Sequence, residues 1–209
     1  MNTSEATAID IDAFAPPEDE ALRSARELSE DEGVTPVTHL GGAWLRWFAG
    51  VRPARDVVEL GTGMGYSALW LLAGMHPRGM LTTVESDPDR QARAQRVLGR
   101  AGHGQRVRSI LGSALSVLPK LADDAYDLVF IDATPAEYPD YLRHATRLLR
   151  PGGLLIADHV MRAGLGDATD PAATGLRVFA GMVRDDPTLD GQMLPVGDGM
   201  LVATRTPRA

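Results

Sequence analysis

The stretch DVVELGTGMGYSALW, Asp56–Trp70, decides the fold. An apolar, β-prone run ends at Glu59-Leu60. Gly61, Gly63 and Gly65 then make a tight turn, and a helix opens near Tyr66-Ser67. Glycine has no Cβ, so its backbone can approach a ligand closely, and a helix N-terminus offers free N–H groups. On both sides of this unit the chain alternates. Apolar runs near 56–60, 80–84, 107–111, 127–131 and 153–157 read as strands, with helical patterns near 65–75, 88–100, 114–121 and 138–149 between them. Five strands separated by helices imply a parallel sheet covered on both faces. The end of the chain differs. TLDGQMLPVGDGMLVATR reads as two strands joined by Gly197-Asp198-Gly199, an antiparallel hairpin.

Upstream, residues 1–17 lack periodicity and end in Pro16-Pro17, which predicts a mobile tail before a single domain over 18–209. A helical pattern runs from Glu18 to Gly33. A second follows, with Pro36 in its first turn and Leu40, Trp44, Trp47 and Phe48 as an apolar stripe. The 209 residues suit one α/β domain, and 44% hydrophobic content supports a sizeable core. Without cysteine there is no thiolate nucleophile, thiolate metal site or disulfide. The absence of a long apolar run and of a signal-peptide pattern leads us to expect a cytoplasmic protein with no membrane span. A net charge of −7 disfavours a protein that grips nucleic acid through its phosphates. Arg90, Arg93, Arg96 and Arg100, near helical spacing, read as a solvated helix face.

A second acid reinforces the glycine turn. In LTTVESD, Glu85 closes the next strand, where a carboxylate accepts from ribose hydroxyls. A dinucleotide fingerprint requires glycine where Tyr66 stands. S-Adenosylmethionine carries no phosphate and needs only a turn past its methionine end and a ribose acid, so it is the nucleotide expected here.

These segments, together with YDLVFIDA, YLRHATRLLRPGGLLIADHV and LPVGDGMLVATR, resemble the class I S-adenosylmethionine-dependent methyltransferases. More narrowly they resemble the catechol and caffeoyl-CoA O-methyltransferase family with its small bacterial members, over about Gly33 to Arg205. The resemblance implies a Rossmann-like α/β fold with a seven-stranded, mostly parallel sheet whose C-terminal hairpin is antiparallel. It places the methionine end of the cofactor against Val34, Glu59, Gly61 and Ser67 along the turn that includes Thr62 and Gly63. It sets the ribose on Glu85 and the adenine near Ser113 and Ala114, with Asp132 also at the cofactor. Many relatives carry Asp where Ser113 stands; a hydroxyl still accepts from the adenine amine. Relatives are commonly homodimers, and Trp44 and Trp47 offer apolar surface for that.

Asp132 ends the fourth strand, and Asp158-His159 end the fifth. On neighbouring strands these side chains converge at the carboxyl edge, where ligands bind. The metal-dependent relatives hold a divalent cation on Asp, Asp and Asn, matched here by Asp132, Asp158 and His159. Two carboxylates suit Mg²⁺, and the imidazole shifts preference towards Mn²⁺ and softer ions. Such a cation would chelate vicinal oxygens of a small, catechol-like hydroxyl acceptor. Those relatives also carry a lysine as general base three residues after the first Asp. Pro135 stands there, and Lys120, the chain's single lysine, lies before the fourth strand. The base is then either absent, with metal acidification sufficient, or His159. Asp132 and His159 are thus the candidate catalytic residues. The alternative functions are methylation of a hydroxylated tRNA base, or a cofactor-binding protein that has lost catalysis. Met161–Thr174, polar and glycine-rich, reads as a substrate-covering loop. His39 reads as a surface or helix-packing residue rather than one lining a substrate cavity, and His76, His103 and His144 as structural.

Overall fold

The structure, a computed structural model, describes residues 11–164, 167 and 169–206. Two helices precede the sheet. Helix α1 (Glu20–Asp31) is capped by Asp19, whose carboxylate accepts from Leu22 N at 2.9 Å, and it buries Leu22, Ala25 and Ser29. Helix α2 (His39–Val51) starts later than Pro36. Thr38 caps it by accepting from Gly41 N at 3.0 Å, so Pro36 lies in the preceding extended segment.

The alternation then runs β1 (Asp56–Leu60), α3 (Tyr66–Gly74), β2 (Met80–Glu85), α4 (Pro88–Arg100), β3 (Val107–Leu111), α5 (Ala114–Val117), β4 (Tyr126–Ile131), α6 (Tyr138–Leu148), β5 (Leu149–Ala157), α7 (Pro171–Asp185), β6 (Leu189–Leu194) and β7 (Met200–Arg205). The sheet order is β3-β2-β1-β4-β5-β7-β6. β1 to β5 pair in parallel, whereas β7 pairs antiparallel with both β5 and β6. This is the expected seven-stranded, mostly parallel sheet with an antiparallel C-terminal hairpin.

Alternation along the strands divides the core in two. Val58, Leu60, Val129, Ile131 and Leu155 face α6 and α7, around Tyr138, Leu142 and Phe179. Val57, Leu81, Leu128, Phe130 and Ile156 face α1 to α4, around Leu45, Tyr66, Trp70 and Leu98. Helix α3 is buried on every side, which is why it shows no amphipathic stripe.

Four local expectations differ. Strand β5 begins at Leu149, four residues early, because Arg150-Pro151-Gly152 continues the ladder past a register irregularity opposite Tyr126 and Leu128. The helix expected over 114–121 is an α-turn (Ala114–Val117) followed by a 3₁₀ turn (Leu118–Lys120), since Pro119 cannot continue the α ladder. The loop expected over 161–174 is partly helical. Val160–Gly164 is a 3₁₀ turn, and α7 starts at Pro171 under an Asp170 cap at 3.0 Å from Ala172 N. Leu165, Gly166 and Ala168 of that loop lie outside the described residues. Residues 1–10 of the expected tail also lie outside them. From Ile11 the tail is structured: Ile11–Phe14 makes a 3₁₀ turn, and Pro16 O lies 2.8 Å from His39 Nε2.

Candidate active site

The site is assembled by hydrogen bonds that extend the parallel ladder one residue beyond the strands. Gly61 N donates to Val84 O at 3.0 Å, Asp132 N to Leu60 O at 2.9 Å, and Asp158 N to Ile131 O at 3.0 Å. The first residue after β1, β4 and β5 is therefore held in line along the carboxyl edge. This brings the glycine turn and two acids together.

In the turn, Gly61, Gly63 and Gly65 have φ of 91°, 52° and 90°, the left-handed region that glycine alone enters freely. Glu85 ends β2 and folds back under it. Its Oε2 accepts from Gly63 N at 2.9 Å, and its Oε1 accepts from Ser86 N and Asp87 N at 2.9 and 3.0 Å. The turn and Glu85 form part of a 440 Å³ cavity, within the usual range for small-molecule sites. Val34, Gly61, Thr62, Gly63, Ser67, Glu85, Ser113, Ala114, Asp132 and His159 all line it, so the segments before α2 and after β1, β2, β3, β4 and β5 meet there.

Glu59 is placed differently from the other candidate cofactor residues. It has no exposed surface and does not line the cavity. Ser67 Oγ donates to its Oε1 at 2.7 Å and Thr83 Oγ1 to its Oε2 at 2.6 Å, with Thr62 Oγ1 2.6 Å beyond Thr83. It thus reaches the cavity through Ser67 and Thr62. Burial pushes its carboxyl up to about 7, against the pull of those two hydroxyls. An acid raised in the folded state stabilises fully below its unfolded value and loses that contribution as pH rises through the folded one. Glu59→Gln should therefore remove a pH-dependent loss of roughly 3 kcal/mol between about 4.5 and 7. Urea unfolding of both proteins at each end of that window checks this: their stabilities should converge at the alkaline end relative to the acidic end, or cross.

Asp132 and His159, which line the cavity, meet Asp158, which does not. Each offers a ligand atom, and the three atoms lie within 4.8 Å of one another. His159 Nε2 is 3.5 Å from Asp132 Oδ1 and 4.0 Å from Asp158 Oδ2. Asp158 is 4% exposed, and its Oδ1 accepts from His159 N at 2.8 Å. His159 has φ of 62°, a backbone state that side chains other than glycine rarely adopt. Burial raises both carboxyls above the ordinary aspartate range. His159 opposes this for both, while Asp158 and Glu59 add to it for Asp132. One buried acid, one partly buried acid and one imidazole nitrogen match the donor set of a divalent cation.

Two residues missed by the sequence reading complete this corner. Asp198 in the β6–β7 turn lies 3.4 Å from His159 Nδ1, and Arg162 Nε donates to Asp198 Oδ2 at 2.5 Å. The sequence signal for Asp198 is an acid between two turn glycines, a pattern that by itself specifies only a turn. Pro135, in the lysine position of the metal-dependent relatives, opens a 3₁₀ turn (Pro135–Glu137) on the cavity wall, where Tyr141 donates to Glu137. Lys120 precedes β4 and is not on the wall. His39 packs against Trp70 of α3, with ring centroids 5.6 Å apart and planes tilted by 40°.

A family model described as O-methyltransferase matches residues 18–206. The chain belongs to this O-methyltransferase family. A relative from Mycobacteroides abscessus is 45% identical over 192 residues, covering 90% of this chain and 89% of its own. Among solved structures, the O-methyltransferase TomG from Streptomyces achromogenes, involved in tomaymycin synthesis and in complex with S-adenosylmethionine, superposes with a TM-score of 0.86 at 30% identity, covering 93% of each chain. The O-methyltransferase from Bacillus cereus in complex with S-adenosylhomocysteine also gives 0.86, at 27% identity over 94% of this chain and 95% of its own. Like them, the chain is a Rossmann-like methyltransferase in fold, and it is an O-methyltransferase by family.

Proposed function

We propose that this O-methyltransferase moves the methyl group of S-adenosylmethionine to a hydroxyl of a small aromatic, catechol-like acceptor, assisted by a divalent cation on Asp132, Asp158 and His159. One observation carries the reading: three side chains able to ligate a cation converge beside the cavity that holds the glycine turn and Glu85, with Asp132 and His159 on its wall. When bound, S-adenosylmethionine supplies an electrophilic methyl, and the cation supplies Lewis acidity towards a substrate hydroxyl.

The chain's own residues do the rest. Glu85 presents a carboxylate to ribose hydroxyls, and the glycine turn lets the backbone pass close to the methionine end. Ser113 and Ala114 border the adenine end. Asp132 lines the cavity together with the glycine turn and His159, where it would help hold cofactor and acceptor within reach of each other. No lysine lines the cavity, which leaves the carboxylates and His159 as proton acceptors on the wall. A His159 whose Nε2 ligates the cation is not free to accept there.

The cavity wall carries Glu85, Asp132 and Glu137 against Arg90, Arg162 and His159. That mixture is not the basic groove an RNA acceptor needs, and it favours a small molecule. No helix among the described residues is long and apolar enough to cross a membrane. A homodimer is supported by Trp47 and Val51, which are more than half exposed on α2.

Calorimetric titration of Mg²⁺ and Mn²⁺ into protein saturated with S-adenosylhomocysteine tests the cation. Binding with Mn²⁺ at least as tight as Mg²⁺, abolished in Asp158→Ala, is expected. No binding to the unmodified protein defeats the cation reading and leaves a metal-free transferase.

A further inference from the structure

His159 has two ring nitrogens, and the structure aims them at different partners. Nε2 faces Asp132 and Asp158, at 3.5 and 4.0 Å. Nδ1 is buried, makes no aligned hydrogen bond, and lies 3.4 Å from Asp198 Oδ2. Asp198 is fixed from several directions. Its Oδ2 accepts from Arg162 Nε at 2.5 Å, and its backbone carbonyl accepts from Met161 N at 2.8 Å. Gly199 O next to it accepts from Val160 N at 2.9 Å, and Arg162 N in turn donates to His159 O at 3.0 Å. The β6–β7 turn is thus stitched to the three residues that follow His159, and the anionic oxygen sits on the side of the ring opposite the acids.

We infer that Asp198, anchored by Arg162, is a positioning residue that holds His159 as its Nδ1–H tautomer, with the Nε2 lone pair turned towards Asp132 and Asp158. A neutral imidazole has one N–H, and the hydrogen bond made by one nitrogen decides what the other can do. A carboxylate beside Nδ1 draws the proton there and frees Nε2 to ligate. Carboxylate partners behind ligating histidines orient the ring and strengthen the donor. Without Asp198, Nε2 would carry the proton towards Asp132 and present no lone pair to a cation. The left-handed backbone of His159 fits the same purpose, because it turns the chain so that the ring stands between the acids and the hairpin turn. The consequence for a cation rests on the reading under Proposed function; the tautomer itself does not.

The test has two parts. Two-bond ¹H–¹⁵N spectra of the ligand-free ¹⁵N-labelled protein in alkaline buffer report the tautomer directly, with the His159 signals identified by their loss in His159→Asn. The expected pattern is Nδ1–H in the unmodified protein, Nε2–H in Asp198→Ala, and Nδ1–H again in Asp198→Asn, whose amide oxygen still accepts. Titration of Mn²⁺ into S-adenosylhomocysteine-saturated protein should show binding weakened about 10- to 100-fold by Asp198→Ala and largely restored by Asp198→Asn. S-Adenosylhomocysteine affinity should be unchanged in both variants, which shows that they are folded. An Nε2–H ring in the unmodified protein overturns the inference. So does Mn²⁺ binding that Asp198→Ala leaves within about twofold, and in that case the cation reading stands. An Nδ1–H ring that depends on Asp198, in a protein that binds no Mn²⁺, sustains the inference and defeats the cation reading instead.

Discussion

Asp158→Asn should abolish methyl transfer while making the protein more stable. The side chain is buried, and desolvation raises its carboxyl above the ordinary aspartate range. Asparagine has the same shape, and its oxygen still accepts from His159 N, so the backbone bend after β5 survives. What disappears is a buried negative charge. If Asp158 ligates a cation as proposed, its loss should lower kcat/KM by about three orders of magnitude, in line with the several kcal/mol of transition-state stabilisation that metal catalysis supplies. S-Adenosylhomocysteine affinity should change little, since Asp158 does not line the cavity. The stability gain has a defined pH dependence. A raised folded-state value means that ionisation penalises folding as pH rises above the unfolded value of about 3.9. The gain should therefore be greatest at neutral pH and vanish in acid. Steady-state kinetics beside thermal unfolding at two pH values checks both halves. Retained activity would remove Asp158 from the mechanism. A lower melting temperature would mean that its role is structural.

Gly61→Ala should have the largest effect on stability. Gly61 has φ of 91°, and a Cβ built there would overlap the backbone carbonyl of Asp132. Neither neighbour can yield easily, because Asp132 N is tied to Leu60 O and Gly61 N to Val84 O. Strain at the residue and overpacking against fixed backbone together cost roughly 2–6 kcal/mol. For a chain of this size that lowers the melting temperature by about 5–20 °C. S-Adenosylhomocysteine binding should be lost with it, since the displaced carbonyl belongs to a cavity residue. Gly181→Ala supplies the contrast. Gly181 lies inside α7 with open space where a Cβ would go, so alanine should stabilise by about 1 kcal/mol through helix propensity. Calorimetric melting of the two variants separates a glycine required by geometry from one that is merely tolerated.

These contrasts show where the sequence was informative. The glycine turn, the acid ending the second strand and the alternation around them belong to contiguous stretches, and local backbone chemistry specifies them. So do the three residues at the ends of β4 and β5, because a strand end in a parallel sheet has a fixed place at its carboxyl edge. Glu59 was legible as a strand-end acid but not as a buried one, since its fate depends on Thr83 from β2 and Ser67 from α3 closing over it. Helix α7 was missed because the glycine-rich stretch before it obscured its start at Asp170-Pro171.

The sequence by itself therefore determined the family, the sheet with its terminal hairpin, the glycine turn and the identity of the three edge residues. Only the tertiary structure decided which groups face the two ring nitrogens of His159. Asp198 is distant from it in the chain, and no local pattern links a hairpin turn to the end of β5. The antiparallel pairing of β7 with β5 sets Leu201 opposite Ala157, which carries the turn before β7 to the carboxyl edge where β5 ends. Strand order, a property of the whole sheet, brings the acid to the second nitrogen of the imidazole.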